Sequence, residues 1–230
     1  RHTYAVIAGI PVGGEPDSIL FDPEGLVAYI TNSQTDEIMI LNVEESRIEA
    51  SISVGKEPRG IAFSPDGRLL AVANAGDNNV TILDRITVTP LFDIPVSVSP
   101  MDVEFGTDSN TLFVSSARGD GIAVVDTTDQ RILAVLTACE GPRNIAQTLD
   151  GRLLYVACEL ADQVVVFDTT SYSTVARIPT GRGPWGGAVS EDNRWIFVTN
   201  RITGTVTVIN NATQQVSSTV RVGDGPSGIV

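Results

Sequence analysis

The chain of 230 residues has one histidine, His2, and one lysine, Lys56. A lone imidazole excludes a His-based metal centre and a Ser–His–Asp triad, each of which needs histidine at the reacting atoms. Cysteine is almost as scarce, with 2 residues. They form no Cys-x-x-Cys-His haem attachment site, and no glycine-rich phosphate loop accompanies them, so neither a cofactor nor a metal is expected. No apolar run approaches the ~20 residues of a membrane-spanning helix, so no membrane insertion is expected. Positive charge is short as well: 15 Lys and Arg face 28 Asp and Glu, for a net charge of −13. Such a surface repels phosphate backbones and anionic lipid, which argues against nucleic acid as a partner. The sequence opens Arg1-His2-Thr3 without a start methionine or an apolar leader. Either a leader has been removed or the sequence is an excerpt of a longer one.

What the chain has in quantity is repetition. Pro16, Pro58, Pro100, Pro142, Pro184 and Pro226 follow one another at intervals of 42 residues, with no insertion or deletion. A small-residue column precedes them by three (Gly13, Gly55, Ser97, Cys139, Gly181, Gly223), and a mostly apolar column follows by three (Ile19, Ile61, Val103, Ile145, Gly187, Ile229). Each repeat reads as four short strands. In the second copy these are Gly60 to Phe63, Leu69 to Asn74, Val80 to Leu83 and Thr89 to Val96, with turns at Ser64-Pro65-Asp66-Gly67 and Ala75-Gly76-Asp77-Asn78. Asn42, Asp84, Asp126, Asp168 and Asn210 end the third strands, where a short polar side chain caps a turn. Four strands in a period of ~40–50 residues select a β-propeller of four-stranded antiparallel blades. The blades are expected at about 14–55, 56–97, 98–139, 140–181 and 182–223, all in one propeller domain spanning 1–230.

The second strands end Tyr29-Ile30-Thr31-Asn32, Ala71-Val72-Ala73-Asn74, Phe113-Val114-Ser115-Ser116, Tyr155-Val156-Ala157-Cys158 and Phe197-Val198-Thr199-Asn200. With the Ser-Pro-Asp-Gly turn and the Val-Gly-x-x-Pro joint, these segments resemble the YVTN family of β-propeller repeats over the whole chain. The resemblance implies a propeller fold, an extracytoplasmic setting such as periplasm, cell surface or surface layer, and commonly seven blades. It leaves the ligand open, since a fold does not fix a function. Residues 5–12 match a fourth strand and residues 227–230 a first strand, each without the rest of its blade. The expectation is therefore five complete blades of a seven-bladed ring. The alternative is a six-bladed ring whose last blade has bare edges covered by a partner.

The repeats align the chain with itself, and residues that depart from their column are the candidates for function. Cys139 replaces a glycine and Cys158 an asparagine, on the same face of one blade. They can form a disulfide, suited to an oxidising compartment, or stand as two thiols in small-residue positions. The position after each proline is chemically mixed: Asp17, Arg59, Met101, Arg143, Trp185, Ser227. Asp17, Arg59, Arg143 and Trp185 there can hold a small anionic or aromatic ligand at the channel mouth, or form a solvated rim with Trp185 as a plug. Asp102 and Glu104 replace small or apolar residues and point the same way from an inner strand. They can act as an acid/base pair or share a cation, or be neutralised by Arg59 or Arg143 as a structural ion pair. Arg118-Gly119-Asp120 is read as a turn rather than an adhesion site, Asn79-Val80-Thr81 as a strand entry, and Asn211-Ala212-Thr213 as a loop usable for glycosylation only in a secreted setting.

Two functions follow. The first is a non-enzymatic extracytoplasmic scaffold, binding a protein partner or neighbouring subunit through its loops and channel mouth. The second is a hydrolase- or lyase-like enzyme, or a small-anion binder, with its site at that mouth.

Overall fold

The computed structural model describes residues 9–119 and 121–229. Residues 5–8 of the fourth-strand match, Asp120 of the Arg-Gly-Asp turn and Val230 of the first-strand match lie outside this range. Within it the chain forms five four-stranded antiparallel sheets, each a meander in sequence order. Blade one comprises β1 (Pro16–Phe21), β2 (Val27–Asn32), β3 (Glu37–Asn42) and β4 (Arg47–Ser53). Blade two comprises β5 (Pro58–Phe63), β6 (Leu69–Asn74), β7 (Asn79–Asp84) and β8 (Thr89–Pro95). Blade three comprises β9 (Pro100–Phe105), β10 (Thr111–Ser116), β11 (Gly121–Asp126) and β12 (Arg131–Thr137). Blade four comprises β13 (Pro142–Gln147), β14 (Leu153–Cys158), β15 (Gln163–Asp168) and β16 (Thr174–Pro179). Blade five comprises β17 (Pro184–Val189), β18 (Trp195–Asn200), β19 (Thr205–Asn210) and β20 (Gln215–Arg221). The inner strands touch in series, β1 to β5 to β9 to β13 to β17, which is the arrangement of a β-propeller. One element is not visible in the repeat pattern, a 3₁₀ turn at Glu159–Ala161.

The first strands start at the column proline, two residues before the apolar run. Proline is tolerated there because the first residue of a strand can lack an N–H without breaking the ladder. Middle strands are buried on both faces. Ala71, Val72 and Ala73 of β6 and Val80, Ile82 and Leu83 of β7 have no exposed surface, because neighbouring blades cover both sides of the sheet. Each seam is an apolar cluster shared by two blades, such as Tyr29 and Ile38 with Ile61, Leu70 and Leu83. On the outward face of blade one, Ile10 and Val12 pack against buried Ala28, Ile30, Met39 and Leu41, and the inner strand is less covered. Ile19 is 54% exposed there, while its equivalent Ile61 is 8% exposed.

Polar contacts repeat with the blades. Asp84 accepts from the N–H groups of Ile86 and Thr87, and Asp168 from those of Thr170 and Ser171, so the capping aspartates close the turn between third and fourth strands. In blades one, two and four the loop after the second strand ties to the next joint. Asp36 accepts from the N–H of Glu57, Asn78 from that of Ser99, and Asp162 from that of Gly183. A hydroxyl crosses alternate seams: Thr31 donates to the carbonyl of Arg59, Ser115 to that of Arg143, and Thr199 to that of Ser227. Residues 227–229 form no strand, yet Ser227 takes the place at blade five that an inner strand takes at the other seams.

The small-residue column and the end of the second strand pack against each other. A methyl on Gly55 would strike Asn74, and one on Gly181 would strike Asn200. The pairs in blades two to five are Gly55 and Asn74, Ser97 and Ser116, Cys139 and Cys158, Gly181 and Asn200; in blade one a methyl on Gly13 would meet nothing, and Gly14 lies against Asn32 instead. Side-chain size lost on one member is regained on the other, as close packing demands. In blade four a disulfide joins the pair, with Cα atoms 6.0 Å apart.

Candidate functional site

The inner strands β1, β5, β13 and β17 carry a bulge between the proline and the residue three beyond it. In β9 the irregularity lies between Pro100 and Asp102. A bulge re-aims side chains and frees N–H groups from the ladder. The post-proline residues other than Arg59 therefore lie around one depression at the channel mouth, a pocket of ≈ 420 Å³. Its lining includes Asp17, Met101, Asp102, Arg143, Trp185 and Arg201.

Arg59 does not line this pocket. Its Nη1 lies 3.0 Å from Asp17 Oδ1 and its Nη2 3.7 Å from Glu57, while its buried Nε has no partner among the described residues. Arg143 donates from Nε and Nη2 to Glu159 at 2.6 and 2.5 Å. The two side chains are about a fifth exposed, so water screens this pair less than it would a surface pair. The Arg143 guanidinium carbon sits 4.4 Å from the centre of the Trp185 ring, and Arg201 packs on the same indole at 4.6 Å. Arg201 makes no ion pair and no side-chain hydrogen bond among the described residues.

Arg201 and Glu159 are the residues that the reading by columns missed. Their own column, one past the second strand, runs Ser33, Ala75, Ala117, Glu159, Arg201. The same test would have found both, since two charges follow three small residues.

Asp102 is not neutralised by an arginine, contrary to the expected ion pair, because Arg59 and Arg143 are engaged by Asp17 and Glu159. Its Oδ2 instead accepts from Asn144 Nδ2 at 2.6 Å and from the Ile145 N–H at 2.9 Å. Asn144 Oδ1 in turn accepts from the Gly187 N–H at 2.6 Å, which fixes its amide orientation. Asp102 and Asn144 thus occupy one column and satisfy N–H groups that the bulges free in the following blade. Glu104, two residues on, has no hydrogen-bond partner among the described residues. Loss of water pushes its carboxyl up to about 8, with the Asp102 charge as a second cause. The same loss pushes Asp102 up to about 7, against the opposing hydrogen bonds from Ile145 and Asn144. The two carboxyls share a strand face, but Asp102 lines the mouth pocket and Glu104 does not. Among the described residues no group of His, Cys, Asp or Glu is arranged to hold a metal ion, and no helix is long and apolar enough to cross a membrane. Asn211 is engaged at both ends, accepting from Tyr155 Oη and donating to the Asn193 carbonyl.

The arrangement is that of a β-propeller with a polar, tryptophan-floored pocket at the mouth of its channel. The model of the YNCE-like beta-propeller family matches residues 93–230, more than half of the chain, and the protein belongs to that family. The model described as Lactonase, 7-bladed beta-propeller matches residues 12–93. Among solved structures the chain is similar to Kuenenia stuttgartiensis hydrazine synthase, with a TM-score of 0.69 and 16% identity over 99% of this chain and 92% of that one. At that identity the likeness concerns the fold. No curated protein matches.

Proposed function

We propose that this protein is an extracytoplasmic binding propeller, of the YVTN repeat type, whose channel mouth holds a small anionic ligand. The observation that carries the reading is the pair of guanidiniums on Trp185, one of them, Arg201, without a carboxylate partner among the described residues. A cation already seated on an aromatic ring loses little side-chain freedom when an anion arrives, which favours binding. Arg143, held by Glu159, orients the indole, and Arg201 meets the ligand. The loops around the mouth remain a surface for a protein partner or neighbouring subunit. The disulfide supports an oxidising compartment.

The test is titration of the protein with carboxylates, read by Trp185 fluorescence in a Trp195→Phe background. Arg201→Gln is expected to weaken binding by about tenfold or more, the worth of a charge-assisted hydrogen bond. No response to any anion, or equal affinity in Arg201→Gln, overturns the reading.

A second reading, hydrolysis at the channel, draws on the lactonase match over residues 12–93 and on Glu104, a carboxyl held neutral near pH 7. It requires an ester- or lactone-cleaving activity that Glu104→Gln abolishes in a folded protein.

A further inference from the structure

The pocket of ≈ 420 Å³ is many times the ~30 Å³ share of one water molecule, and more than a bare inorganic anion fills. What lies beside it is apolar. Leu160 and Ile202 directly follow Glu159 and Arg201, and they are 69% and 62% exposed. Neither lines the pocket itself, but each lies against the joint that leads to a lining residue. The Leu160 side chain lies over Gly141, two residues before Arg143, and the Ile202 side chain lies over Gly183, two residues before Trp185. Their column reads Gln34, Gly76, Arg118, Leu160, Ile202, so only the two blades that present the arginines place an apolar side chain there. Two columns thus depart from the repeat in the same sector, one toward charge and one toward apolar surface. Met101 continues the apolar lining inside the pocket, with its sulfur 3.5 Å from Arg143 Nη1.

We infer that the ligand of this mouth is an amphipathic carboxylate, its anionic end on Arg201 and its apolar part across Leu160 and Ile202. The inference rests on the anion-binding reading above and deepens it. Two sources share this chemistry: a free apolar acid, and the C-terminal carboxylate of a peptide that ends in apolar residues.

The experiment titrates the intact chain with butyrate, with octanoate, and with the peptide Ala-Ala-Leu-Leu as free acid and as amide, all read by Trp185 fluorescence in the Trp195→Phe background. Each fully buried methylene is worth about fourfold in affinity. Octanoate is therefore expected to bind at least about tenfold tighter than butyrate over four partly buried methylenes. Leu160→Ser with Ile202→Ser is expected to flatten that dependence; both side chains are largely solvent-exposed, so an unchanged melting temperature is expected and checks that the variant is folded. Preference for the acid peptide over octanoate, with the amide inert, assigns a chain terminus as the source. Preference for octanoate assigns a free acid, and either result supports the inference. Equal affinity for butyrate and octanoate, weakened alike by Arg201→Gln, overturns the inference and leaves the anion site standing. Binding of none of the probes overturns both.

Discussion

Exchanging the joint pair of blade four for the pairs that other blades use separates the cross-link from the packing it replaced. The bridge closes a loop between residues 19 apart, which removes about 3 kcal/mol of chain entropy from the unfolded state. Cys139→Ser with Cys158→Ser installs the pair of blade three and is expected to lose about that amount. Cys139→Gly with Cys158→Asn installs the pair of blades two and five and is expected to lose more. In those blades the asparagine Nδ2 donates to two acceptors, Asn79 and Thr81 in one and Thr205 and Thr207 in the other. In blade four the second acceptor is absent, because fully buried Val165 stands where Thr81 and Thr207 stand. A buried amide hydrogen without a partner costs about 1–3 kcal/mol. Adding Val165→Thr to the Gly–Asn variant should recover about 1 kcal/mol, the net worth of one hydrogen bond. The assay is urea unfolding, comparing midpoints at unchanged slope. The reasoning fails if the Gly–Asn variant matches the Ser–Ser variant and Val165→Thr changes nothing. It also fails if either pair equals the oxidised native chain.

Stability should fall as pH rises through about 7 to 8. The folded-state values of Asp102 and Glu104 are raised, so the folded chain holds protons that the unfolded chain releases above about pH 4. The melting temperature is expected to be higher at about pH 6 than at about pH 8.5, with Glu104→Gln removing most of the difference; an unchanged slope in that variant contradicts the assignment. Thr31→Val should cost about 2–3 kcal/mol in urea unfolding, because the Thr31 hydroxyl both donates to the Arg59 carbonyl and accepts from the Ser18 N–H. Thr31→Ser should stay near the native value, and a Val variant as stable as native would show that this hydroxyl does not tie the seam.

The blades were legible because their determinants are local and recur. Proline opens each first strand, and Asn or Asp closes each third. The exchange of Gly–Asn for Ser–Ser or Cys–Cys shows in the sequence as paired departures, and the structure explains it as one site filled to constant volume. Arg143, Trp185 and Asp102 stood out for the same reason. Their partners were harder to see. Glu159 reaches Arg143 from a loop 16 residues away, and Asn144 satisfies Asp102 from the next blade, 42 residues on. Column comparison ranks residues by difference, whereas an ion pair is decided by which of several carboxylates the loop geometry delivers. Arg59 shows the consequence, since it shares the column of Arg143 but pairs with Asp17 and Glu57 and does not line the pocket.

The departures gather on blades four and five, and the physical connection between them runs through the disulfide. Cys158 ends β14, and the next residue is Glu159, whose N–H is bound by the Gly141 carbonyl and whose carboxylate grips Arg143. Fixing Cys158 to Cys139 therefore anchors the start of the loop that carries Glu159 to the joint that leads to Arg143. That in turn holds Arg143 over Trp185, while Arg201, over the same ring, makes no ion pair among the described residues. A binding site needs supporting side chains locked before the ligand arrives, or ordering them consumes the affinity. The repeat scaffold supplies rigid strands, but the loops after the second strands of blades one and two are tied to the joints by hydrogen bonds alone, such as those from Glu57 to Asp36 and from Lys56 to Asp77. A covalent tie at the loop that carries the support of the site is the rigidity that such a pocket requires.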